Sequence, residues 1–131
     1  MSGMDKPGRA PVPVLPAALI WGSVWGFAEA TLGYLLHIVR VPGLPGFVMA
    51  PVAVFALEHA YRRTERLAAI PSAALVAALL KLGAVAVPGI DVLAVINPVR
   101  AILFESLVVL GFAAAFGRTS GSPLPQAARG R

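Results

Sequence analysis

The chain has 131 residues, no cysteine and a formal net charge of +5. Apolar residues make up 58% of it and charged residues 13%, whereas about a quarter of a soluble domain is charged. A soluble domain this short leaves too much of its surface in water to hide so many apolar side chains, so composition excludes an ordinary soluble fold. Without cysteine there is no disulfide framework, thiolate metal site or cysteine nucleophile.

Residues 1–11, MSGMDKPGRAP, are polar and rich in Gly and Pro, and read as a short disordered cytoplasmic tail. The apolar run Val12–Val39 is too long for a signal-peptide core of about 7–15 residues and contains Glu29, so it reads as an uncleaved first span over 14–37. Within it Ala18, Gly22, Gly26 and Ala30 recur every fourth residue, with Glu29 and Gly33 bordering the same face. On a helix these positions form a smooth groove, the kind of face on which helices dock in lipid. Trp21 and Trp25 lie well inside the run and are expected to pack on neighbouring helices. A tight loop, VPGLPG, follows at 41–46.

The second span is expected over 45–61; Pro51 either kinks it or marks its true start. The third, 67–87, is rich in alanine and carries Lys81, and Pro88-Gly89 ends it. The fourth is expected over 92–116. Asn97 followed by Pro98 suits an N-cap and first helical residue, so the continuous helix is expected to begin at Pro98. Val92–Ile96 would then be a short re-entrant or interfacial approach. Residues 117–131 read as a second disordered cytoplasmic tail. The expected fold is an all-α integral membrane protein, a bundle of about four transmembrane helices.

Eight of the eleven basic residues, Lys6, Arg9, Arg62, Arg63, Arg66, Arg118, Arg129 and Arg131, fall on the side of the termini, and only Arg40 lies in the opposite loops. This positive-inside bias places both termini in the cytoplasm of a cell with the chain in its inner membrane, and explains the basicity without nucleic acid. Glu29, Lys81, Arg100 and Glu105 lie in or near the apolar runs, where a central charge costs about 2.5–3.5 kcal/mol on insertion scales. Glu29 and Lys81 come out about 21–22 Å from the inner edge at about 1.5 Å per residue. A polar cluster of Glu29, Lys81, Asn97, Arg100 and Glu105 is therefore expected in the outer half, with Glu29 near Lys81 or Arg100. His37, two turns beyond Glu29, is a further candidate. Neither its spacing nor that of His59 forms a metal motif, and there is no nucleotide loop, Ser-His-Asp pattern or HExxH, so no enzyme and no cofactor is expected.

The small-residue ladder Ala18, Gly22, Gly26, Ala30, the stretch GYLLHIVRVPGLPG after it, and INPVRAILFESL at 96–107 together resemble the substrate-binding S components of energy-coupling-factor transporters. The resemblance implies uptake of a small molecule or ion, with the ladder docking a transmembrane coupling subunit joined to two ATPases. Those proteins usually have six spans, against four here. The alternative is a self-assembling, proton-coupled secondary transporter, since small multidrug-resistance proteins share this length and a first-helix Glu; Glu29 would then exchange protons within a homo-oligomer. A structural membrane protein is the third reading.

Overall fold

The structure, a computed structural model, describes residues 10–117. It is all-helical over those residues: α1 (Val14–Ile38), α2 (Leu44–Thr64), α3 (Ala69–Gly83), which runs on into a 3-10 turn at Ala84–Ala86, and α4 (Val92–Phe116). Apart from residues 10, 11 and 117, the expected tails lie outside the described residues, as do Lys6, Arg9, Arg118, Arg129 and Arg131.

The turns follow from local chemistry. Gly43 enters α2 at φ 81°, a left-handed conformation that a side chain strains, and Pro45 occupies the first turn, where its missing N–H costs nothing. At Pro51, expected either to kink α2 or to mark its start, the structure decides against a start, and the expected start of α4 at Pro98 is corrected. α2 begins at Leu44 and passes through Pro51. α4 begins at Val92 and passes through Pro98, so Val92–Ile96 is not a separate segment but the start of the same helix. The cap is Asp91, whose carboxylate accepts the Leu93 N–H at 3.1 Å, and not Asn97. A proline deletes one backbone hydrogen bond, which a long helix with packed neighbours absorbs.

Backbone contacts tie the ends together. The Val12 N–H donates to the Arg63 carbonyl at 2.9 Å, and Gly117 sits beside the Tyr61 hydroxyl. The start of α1, the α2–α3 turn and the end of α4 therefore share one end of the bundle, here called proximal. The α1–α2 loop and the turn at 84–91 share the other, distal end. α3 packs on α1, α4 and α2; α2 packs on α1 and α4; α1 and α4 have no extended contact with each other.

Small residues lie inside and large ones outside. The buried set is dominated by alanine: Ala53, Ala56 and Ala60 on α2, and Ala69, Ala73, Ala74, Ala77 and Ala78 on α3. Trp25, Leu57, Ile70 and Ile102 are the large apolar side chains that are fully enclosed. Phe27, Phe47, Phe104, Leu107 and Phe112 point outward. In water this arrangement forfeits about 0.8 kcal/mol for every CH₂ left exposed. In lipid there is no such loss, and close backbone approach through small residues becomes the means of association. Three helical stretches, Leu44–Thr64, Ala69–Ala86 and Val92–Phe116, are long and apolar enough to cross a membrane.

The ladder on α1 is occupied from within the chain. A Cβ on Gly22 would lie 2.5 Å from the Ala73 carbonyl oxygen and 2.7 Å from the Val76 Cβ; one on Gly26 would meet Leu80 and the Ala77 Cα at 3.0–3.1 Å. Ala18 is buried beside them. Within the chain, α3 is the helix that packs on this face at Gly22 and Gly26. Ala30, the distal rung, is exposed, and Gly33 is buried under Glu29.

Candidate functional site

Toward the distal end the absence of α1–α4 packing leaves space, and two cavities flank it. The first, about 170 Å³, lies between α1, α2 and α4. Asn97, Ala101 and Glu105 reach it from α4 at a spacing of four residues, which is one helix face. Met49, with Pro45 and Gly46, reaches it from α2, and Glu29 from α1. Glu29 is buried, 8% exposed, while Glu105 is half-buried. The Glu29 carboxylate lies over Gly33, where a Cβ would meet Oε1 at an ordinary contact distance of 3.4 Å. The two carboxylates are near enough for the charge of one to act on the other. No cationic side chain among the described residues lines this cavity.

The second cavity, about 460 Å³, lies between α1, α3 and α4 under the turn at 84–91. Lys81 stands in its wall. The ammonium Nζ donates to the main-chain carbonyl of Glu29 at 3.3 Å. Glu29 thus serves both cavities, offering its carboxylate to one and its carbonyl to the lysine of the other. Tyr34, Ala30 and Val95 line it with Asp91, whose carboxylate is engaged in capping α4.

Of the residues singled out from sequence, Glu29, Asn97 and Glu105 converge on the first cavity, and Lys81 joins Glu29 through the backbone. Arg100 does not join them: it is exposed on α4 beside Phe104 and Leu107, over a shallow depression away from Glu29. Of the two cations expected near Glu29, Lys81 is the one that reaches it, and Arg100, one residue before Ala101, projects off the Asn97–Ala101–Glu105 face. The His37 side chain lies outside the described part of the structure.

Tyr34 and Asp91 were not singled out. Asp91 had a legible signal, an N-cap residue immediately before an apolar run, but Asn97-Pro98 offered the same signal six residues later. Trp25 is fully enclosed with no hydrogen-bond partner for its indole N–H. Trp21 is half-buried and meets Phe55 of α2 edge-on, with the tilted His59 ring 4.7 Å from its own.

Compared with known proteins, the chain matches no family model, and no curated protein or solved structure aligns with it significantly.

Proposed function

We propose that the chain is a multi-pass protein of a cell's inner membrane that binds and moves a small solute, with Glu29 and Glu105 as the pair that takes up and releases a proton. All four helices span the bilayer in this reading. Both termini lie on the cytoplasmic side, since Arg62, Arg63 and Arg66 stand at the proximal end and Arg40 at the distal one. The reading is carried by one observation: two carboxylates from helices that do not pack together face one small cavity inside a bundle whose exterior is apolar. Ionisable groups are expensive there, and two that share a cavity can hold one proton or one cation between them.

The test is reconstitution into liposomes carrying a lumenal pH dye, with charged and neutral small solutes added under a proton gradient. Solute-dependent proton movement is expected from the wild-type chain and its loss from both Glu29→Gln and Glu105→Gln. Unchanged proton movement in either variant would remove that residue from the pair.

The resemblance to S components remains as the second reading, because a cavity of about 460 Å³ at the distal end suits a vitamin-sized solute. What supports it less is the ladder, already filled by α3. A coupling subunit with ATPases would have to dock on another face. The first reading requires no partner beyond the bilayer and a second copy of the chain. Affinity purification in mild detergent separates the two readings by what is retained.

A further inference from the structure

Lys81 lies in the third helix of a domain whose outside is apolar, and it is half-buried. An ammonium has three N–H groups to satisfy. Among the described residues Lys81 makes one polar contact, to the Glu29 carbonyl. That contact pins the ammonium at the cavity wall, where its remaining N–H groups are available to an acceptor within. Asp91, the acidic residue on the same wall, has its carboxylate turned to the Leu93 N–H. The cavity therefore has a fixed positive point. Elsewhere its walls are mainly apolar: Ala30, Leu80, Ala84, Ala94 and Val95. At about 460 Å³ it is far larger than a bare ion needs and lies within the range of small-molecule sites.

We propose that this second cavity binds an amphipathic monocarboxylate, its carboxylate on Lys81 and its apolar body along α1, α3 and α4. The ligand supplies a counter-charge in direct contact with Lys81, which makes no ion pair among the described residues, and this offsets the cost of placing Lys81 there. The proposal rests on the membrane-embedded reading above and names its solute: a monoanion moving with one proton carries no net charge across the bilayer. The carboxylate has two sources, a water-soluble acid entering from the distal end or a fatty acid entering from the lipid.

The experiment uses the full chain in lipid nanodiscs and equilibrium binding of radiolabelled octanoate, with benzoate, oleate, octanamide and octylamine as competitors. Flotation with liposomes first establishes insertion, so a failure of the membrane reading shows itself before ligand is added. Octanoate is expected to bind saturably, and octanamide and octylamine to compete at least about tenfold more weakly, as loss of a charge-assisted hydrogen bond requires. Lys81→Gln should weaken binding by a similar factor and Lys81→Arg should retain most of it. Arg100→Gln, which removes an equal charge outside the cavity, should leave binding unchanged. Competition by benzoate as well as oleate identifies an aqueous ligand; competition by oleate alone identifies a lipid-derived one. No saturable octanoate binding, equal competition by octanamide, or full binding in a monodisperse, helical Lys81→Gln chain overturns the proposal.

Discussion

Replacing Gly22 with alanine places a methyl carbon 2.5 Å from the Ala73 carbonyl oxygen and 2.7 Å from the Val76 Cβ. The first distance falls about 0.9 Å short of ordinary contact at 3.4 Å, and the obstacle is backbone, which cannot rotate away. α1 and α3 must separate by most of that amount. A gap of about 0.5–1 Å forfeits a quarter to a half of each dispersion contact, and overpacking a close interface costs about 1–3 kcal/mol. Against this stands alanine's advantage of about 1 kcal/mol over glycine in a helix, measured in water. Gly111→Ala supplies the control: it is also inside a helix, and a Cβ there meets nothing within 4 Å. The difference between the two variants isolates the clash, and Gly22→Ala should be the less stable by about 2 kcal/mol. Reversible unfolding in mixed detergent micelles, followed by circular dichroism, measures it. If Gly22→Ala follows Gly111→Ala to within about 0.5 kcal/mol, α3 does not occupy the ladder and the docking face is open after all.

Gly26→Ala should fall between these two, because its nearest obstacle is the end of the flexible Leu80 side chain at 3.0 Å; the same unfolding series reads it. Asp91→Ala should cost about 1 kcal/mol through loss of the cap on Leu93, visible as faster hydrogen exchange at the start of α4, while Asn97→Ala should leave that exchange unchanged. Trp25→Phe should cost less than truncation of an enclosed aromatic usually does, since the lost volume is partly offset by removing a buried N–H without a partner, a group worth about 1–3 kcal/mol; thermal unfolding beside Trp25→Ala makes the comparison. The chain has no native cysteine, so Arg40→Cys and Glu65→Cys are clean topology probes. A membrane-impermeant maleimide added to intact cells should label position 40 and reach position 65 only after permeabilisation; the reverse pattern would invert the assigned orientation.

The four helices were legible because each is an apolar run bounded by Gly, Pro or charge; α1 and α2 keep within about three residues of their expected limits, α3 ends at Gly83 with a 3-10 turn to Ala86 in place of a helix to 87, and the continuous α4 begins six residues before Pro98. The misplaced start of α4 arose at proline. Pro51 and Pro98 are boundary signals in water, where a broken helix can satisfy its backbone with solvent. Inside an apolar run the unbroken helix leaves the fewest polar groups exposed, and each helix continues. Of the site, Glu29, Asn97 and Glu105 were legible as polar residues where apolar ones belong. Their separation from Arg100 was not, because depth along a helix can be counted from sequence whereas rotation about it relative to neighbours cannot.

Sequence by itself determined that the chain is helical and apolar, which four stretches form its helices, and which polar groups lie within them. Those properties are local, set by runs and periodicities a few residues long. Tertiary structure decided what each helix faces: that α3 packs on the α1 ladder at Gly22 and Gly26, that Glu29 and Glu105 share a cavity, and that Lys81 reaches the Glu29 carbonyl across 52 residues of chain. The physical reason is that small residues permit close approach without naming the partner. Which helix accepts the invitation depends on the lengths of the loops and on the matching of two surfaces, and only the packed bundle contains that information.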